Sequence, residues 1–152
     1  MKRMHSHLLI SLLVLLFVSG PFAGVAHGQT GSSGLEVILV KAGNGKPGID
    51  AALRPYAATL KRVFRFESYR MAGKKRLQVT SGGESVASLP GGQSLHVRSL
   101  ESGSRGMKAE INWKRGGKNL LHTRINLRPE SPAVLGGPKG PEGTWLLILR
   151  LN

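Results

Sequence analysis

Met107-Lys108-Ala109-Glu110-Ile111-Asn112-Trp113-Lys114 alternates apolar and polar residues without a fault. A strand turns successive side chains to opposite faces, so this stretch reads as a β-strand. Met107, Ala109, Ile111 and Trp113 are expected inside, and Lys108, Glu110, Asn112 and Lys114 outside. The period of two extends both ways along the chain. Strands are expected at 66–72, 76–81, 85–89, 94–100, 119–127 and 133–135, separated by Gly73-Lys74-Lys75, Gly82-Gly83-Glu84, Pro90-Gly91-Gly92, and loops at 102–106, 115–118 and 129–132. Turn signals recurring every 8–12 residues or so mark a sandwich or barrel.

Two segments break the alternation by being apolar on both faces: Leu35–Val40 (LEVILV) and Thr144–Leu151 (TWLLILRL). Such strands need cover on both sides, so they are expected at the centre of a sheet, as neighbours. Between the first of them and Phe66 the period is 3.6. Leu53, Tyr56, Ala57, Leu60, Val63 and Phe64 form one stripe of an amphipathic helix over about residues 50–63, with Pro55 in its first turn and Asp50 as its N-cap. The fold class is therefore mainly β: an antiparallel sandwich or partly open barrel, with one amphipathic helix after the first strand. Trp113 and Trp145 both fall on apolar phases and are expected to be buried.

Lys2 and Arg3, the apolar run from Leu8 to Val18, and Ala26-His27-Gly28 have the layout of a signal peptide cleaved before Gln29. The expected organisation is a signal peptide over 1–28, a flexible leader over 29–34 and one β-rich domain over 35–152. Cleavage removes two of the 22 basic residues and none of the 8 acids, leaving 124 residues with a formal charge of +12. The chain has no cysteine, which excludes a disulfide framework, Cys-ligated metal and thiol chemistry. The expected location is outside the cytoplasm, in a bacterial periplasm or on the extracellular surface.

Motifs for catalysis are sparse. Gly43-Asn44-Gly45-Lys46-Pro47-Gly48 satisfies G-x-G-x-x-G, with Glu67 downstream at the distance a ribose ligand would need. Yet antiparallel β follows it instead of a second βαβ unit, and Pro47 removes a donor from the loop. It reads as a strand-to-helix turn. His96 and His122 lie on the outward phases of their strands and could meet a metal only if Glu110 joined them. The acids are scattered, with no paired spacing, and no G-x-S-x-G elbow is present. The expectation is a non-enzymatic protein without metal or cofactor. Glu67, Glu110 and His122 are the only defensible catalytic candidates.

One local pattern resembles a known family. Leu121–Leu127, then Ala133-Val134-Leu135-Gly136-Gly137, then Leu146-Leu147-Ile148-Leu149, is similar to the closing part of the secretins, where a strand, an apolar-Gly-Gly step and a final apolar strand follow one another. The resemblance departs from that family at Pro138 and in its shorter loop, and no function is carried over from it. The overall layout also resembles small exported bacterial β-proteins of unassigned function.

The charge has a geometry. If successive strands are antiparallel, alternate connections share one end of the sheet. The connections at 73–75, 90–92, 115–118 and 138–143 then gather Lys74, Lys75, Arg76, Lys114, Arg115 and Lys118, with Lys139 set against Glu142. The other end collects Glu84, Glu101, Arg105, Arg128 and Glu130, a net charge of −1. A single-sign end attracts polyanions. The expected function is binding of an anionic surface or partner (an envelope polyanion, acidic polysaccharide, extracellular DNA or acidic protein) through Lys74, Lys75, Arg76, Lys114, Arg115 and Lys118. The alternative is an accessory or structural subunit of a cell-envelope or secretion assembly, joined to a protein partner through exposed strand edges.

Overall fold

A computed structural model describes residues 31–141 and 143–152; the signal peptide expected over 1–28 lies outside them. The described chain forms β1 (Ser32–Gly43), β2 (Gly48–Ile49), a 3-10 helix (Ala51–Tyr56), α1 (Ala57–Val63), β3 (Ser68–Thr80), β4 (Glu84–Leu89), β5 (Gln93–Gly103), β6 (Gly106–Arg115), β7 (Lys118–Leu127), β8 (Ala133–Gly140) and β9 (Gly143–Leu151). It is a mainly β, sandwich-like fold of two separate sheets. One has the order β2-β3-β1-β9-β8, the other β4-β5-β6-β7. Every pairing is antiparallel except the two-residue β2–β3 contact. The strand begins at Ser32, so Ser32–Gly34 of the expected leader is already paired with β3.

The two doubly apolar strands are central neighbours, β1 and β9, in register from Leu35↔Leu151 to Ala42↔Thr144. Each of their faces enters a different core. Leu35, Val37, Leu39, Leu147 and Leu149 pack between the sheets, against Leu95, Val97, Ile111 and Trp113. Ile38, Val40, Leu146 and Ile148 meet Leu53, Tyr56 and Leu60 on the other side. The molecule is thus layered: helix, five-stranded sheet, four-stranded sheet.

The helical segment keeps its expected place but starts as a 3-10 turn, which sets Leu53 and Tyr56 one above the other at i, i+3. Val63, expected on the buried stripe, is 54% exposed, because α1 ends there. Asp50 sits at the N-cap position without a side-chain cap bond. Its carboxylate instead accepts the Met71 N–H (2.8 Å) and the Arg70 guanidinium (3.0 Å), tying the helix entrance to β3.

The main departure from the sequence reading is at Gly73-Lys74-Lys75. No hairpin forms there; β3 runs through it as one strand. The register shifts from Leu39↔Gly73 to Val40↔Met71, leaving Ala72 as the extra residue of a bulge. Glycine is required at 73 because a Cβ would lie 2.8 Å from the Pro90 ring. β8 is likewise longer than 133–135, continuing through Gly136, Gly137 and Pro138 with a bulge, which an edge strand tolerates. A Cβ on Gly137 would come within 2.5 Å of the Trp113 indole and 3.0 Å of the Trp145 carbonyl. Gly137 lets β8 pass over that ring, while a Cβ on Gly136 would lie 3.1 Å from Phe64. Gly137→Val is expected to cost about 1–3 kcal/mol, the range for overpacking a filled core. A urea midpoint within error of the parent would refute this account. Trp113 is fully buried, whereas Trp145 is half-buried with the Lys41 ammonium 6.0 Å from its ring centre.

Candidate anion-binding end and the polar face of the four-stranded sheet

The Ser81–Gly83 turn joins the end of β3 to the start of β4, and Ser33 Oγ lies 3.3 Å from Ser102 Oγ, so these ends of both sheets coincide. The opposite end carries the β4–β5 turn, the β6–β7 turn and, on the five-stranded sheet, the β8–β9 turn. Two of these turns are joined directly: the Gly116 N–H donates to the Gly92 carbonyl (3.1 Å). Gly91, Gly92, Gly116 and Gly117 all have positive φ, so these tight turns need glycine and cannot carry side chains over their tips. The flanking Lys114, Arg115 and Lys118 supply the charge.

The six basic residues expected at this end divide. Lys114, Arg115 and Lys118 sit together around the β6–β7 turn, where Arg115 pairs with Lys118 in the ladder and Lys114 with Asn119. Lys75 shares the inter-sheet face with Val37, but at the exposed margin of β3. The Gly73–Pro90 contact brings the β3 bulge to the β4–β5 turn, and hence to the same end. Lys74 and Arg76 face the other way, onto the helix side of the sheet, where they hold Glu36: Lys74 Nζ at 2.8 Å and Arg76 Nε at 3.7 Å. Among the described residues Lys75, Lys114, Arg115 and Lys118 have no acidic partner within 4.0 Å.

Glu36 was not singled out in the sequence. It is a lone acid inside LEVILV, 3% exposed. The register aligns Arg76, Glu36 and Arg150 across β3, β1 and β9, and the Tyr56 hydroxyl donates to its carboxylate (3.2 Å). Burial works to raise its pKa. The Lys74 hydrogen bond and charge, the Tyr56 hydrogen bond and the Arg150 charge together outweigh burial and hold it below the ordinary 4.5. The acid within an apolar run was the available signal.

The Gly43–Gly48 loop leads into β2, whose Gly48 N–H bonds the Glu67 carbonyl (3.0 Å), and not into a helix packed for dinucleotide binding. With Lys139 and Arg70 it lines a cleft of about 550 Å³ at the basic end. Glu67 stands at the entrance of β3, remote in the ladder from Glu110 and His122, which lie on the outer face of the four-stranded sheet.

That outer face is an ordered polar lattice. One row across β4, β5, β6 and β7 reads Glu84, Arg98, Glu110, Arg124; the next reads Val86, His96, Asn112, His122. His96 and His122 therefore flank Asn112 from two strands apart and do not meet. His96 Nδ1 lies 3.1 Å from Glu84 and His122 Nε2 3.6 Å from Glu110. Arg124 Nε donates to Glu110 (3.0 Å), and this bond chiefly holds the Glu110 pKa below its usual value, a poor setting for a general acid. No group of three or more His, Cys, Asp or Glu side chains able to hold a metal occurs among the described residues, and none of their helices is long and apolar enough to cross a membrane. Comparison with known proteins finds no match: no family model, no curated protein and no solved structure is significantly similar to this chain.

Proposed function

We propose that this chain is an exported, non-enzymatic module that binds an anionic surface or macromolecule through the end bearing Lys114, Arg115 and Lys118, supported by Lys75. The observation that carries the reading is the Gly116–Gly92 hydrogen bond, which fixes two glycine turns side by side, with three cations around them that have no acidic partner among the described residues. Rigid glycine tips let a flat or linear polyanion approach the backbone, and the long side chains reach around it. At the opposite end Arg105 and Arg128 share a cleft with Glu130, so base and acid are mixed there.

Heparin or duplex DNA is the test ligand. Arg115→Ser with Lys118→Ser is compared with Arg105→Ser with Arg128→Ser, two changes of equal charge at opposite ends. The first pair is expected to flatten the slope of log K against log salt by about 1.8 for DNA, at roughly 0.9 per phosphate released. The second pair is expected to leave it near the parent value. Stability should barely move in either, since exposed charges contribute little. Equal elution of the two double variants from heparin sinks the proposal.

A second reading, an assembly subunit joined through strand edges, draws on β7. Its outer edge has no strand neighbour among the described residues, and its inward Leu121 and Ile125 are only half-buried. Strand addition there would bury apolar surface, so that complex would persist at high salt where the first would dissociate.

A further inference from the structure

The outer face of the four-stranded sheet has a symmetry that goes beyond the ion pairs formed within one copy. Its charged row runs Glu84, Arg98, Glu110, Arg124, acid and base in strict alternation over four strands. Reversed, the row reads base, acid, base, acid. We propose that this face is self-complementary, and that two copies of this chain associate through it about a two-fold axis lying along the strands between β5 and β6.

Rotation by half a turn about that axis lays β5 of the second copy over β6 of the first, and β4 over β7, with positions along the strands unchanged. Arg98 then faces the second copy's Glu110, and Glu84 its Arg124, each pair occurring twice. The neighbouring rows agree. Glu101 and Lys108, which pair within one copy at 3.2 Å, each face the other's opposite number. Lys114 faces Ser94, and His122 faces Val86, which is 51% exposed in a single copy. His96, engaged with Glu84 through Nδ1, faces the second copy's Asn112. No like charges meet in any row. Aligned sheet packing keeps the strand directions of stacked sheets within about 30° of each other, and the central rows, nearest the axis, keep their register best.

The size of the face bounds the strength. Four strands about 4.8 Å apart over a seven-residue span cover roughly 450 Å² per copy, about 900 Å² in total, at the low end for a specific interface. The pairing is polar, and both copies are strongly basic. Long-range repulsion therefore opposes association at low salt and is screened at physiological ionic strength, while pairs in contact are screened less. A weak dimer follows, one with a salt response opposite to that of polyanion binding.

Sedimentation velocity of the purified protein from about 10 µM to about 1 mM, near physiological salt, reads the association directly, since a weak interface falls in that range. A concentration-dependent dimer is expected, and a monomer throughout overturns the proposal. Charge-row exchange then locates the surface. Arg98→Glu with Arg124→Glu makes the row wholly acidic; Glu84→Arg with Glu110→Arg makes it wholly basic. Each variant alone is expected to associate more than about tenfold more weakly than the parent, because like charges are set face to face. An equimolar mixture is expected to form a one-to-one complex. Where a row variant fails to fold by circular dichroism, Val86→Arg at an exposed position places a cation against His122 and is expected to weaken the dimer too. Association unchanged in Val86→Arg and in the folded row variants, or a mixture that stays unassociated, refutes the assignment to this face.

Discussion

Trp113→Ala is expected to destabilise the protein by about 3–5 kcal/mol, the cost of emptying a large aromatic site in a filled core. Trp113 has no exposed surface, stacks beneath Gly137 of β8, and donates its indole N–H to Gln93 Oε1 at 2.9 Å. Gln93 is itself buried, and its Nε2 has no partner among the described residues, so removing the indole strips the side-chain amide of the bond it makes. Against a total stability of roughly 5–15 kcal/mol this is a large fraction. Trp113→Phe separates the contributions. It keeps most of the volume but loses the hydrogen bond and part of the indole's packing, for an expected 1–3 kcal/mol or so. Urea midpoints by far-UV circular dichroism provide the measure, and a loss under about 1 kcal/mol for Trp113→Ala would show the core relaxing around the gap. The effect reaches the basic end, because Lys114 and Arg115 follow Trp113 directly on β6. Trp113→Ala is expected to weaken heparin binding although it removes no charge.

What the sequence disclosed, and what it concealed, follows from the range of the signal. Alternation over 107–114 is written in adjacent residues, so β6 and its inward face were readable. The doubly apolar character of Leu35–Val40 and of Thr144–Leu151 is equally local, and it placed both strands at the sheet centre. Alternate turns also fall at alternate ends, as antiparallel order requires, so the cluster around Lys114, Arg115 and Lys118 was readable from the glycines. Gly73 misled because glycine marks both a turn and a close approach, and the Pro90 ring that demands it lies 17 residues further on. The same error turned Lys74 and Arg76 into tip residues, when their phase on a continuous strand points them at Glu36. Strand registers are long-range facts too. Only the pairing of β5 with β6 and β6 with β7 sets Asn112 between His96 and His122, and no spacing within one strand encodes it.

Glu36 is the second site where one residue carries a large effect, and its effect depends on pH. Glu36→Ala removes an acceptor from Lys74 and from the Tyr56 hydroxyl and leaves a gap beside the helix, so an expected loss is about 2–4 kcal/mol at neutral pH. Lys74 and Arg76 are 44% and 75% exposed, so they return to water when the carboxylate is gone, which keeps the loss from the top of the range for a broken buried pair. Glu36→Gln retains an acceptor of similar shape but no charge, and should cost less. The folded pKa lies below the ordinary 4.5, so the folded state binds this proton less readily than the unfolded chain. The stabilisation is therefore complete above the unfolded value and disappears as pH falls through the folded one. Asp50 is depressed in the same direction, chiefly by the Met71 N–H, and adds to the same acid limb, so the Glu36→Gln variant also loses stability in acid. The stability gap between wild type and Glu36→Gln should be widest near neutral pH and should narrow below about pH 4, as Glu36 itself takes up its proton. Urea titrations at pH 7 and pH 3 measure that gap, and a gap of equal width at both would show that Glu36 acts by shape alone, without its charge.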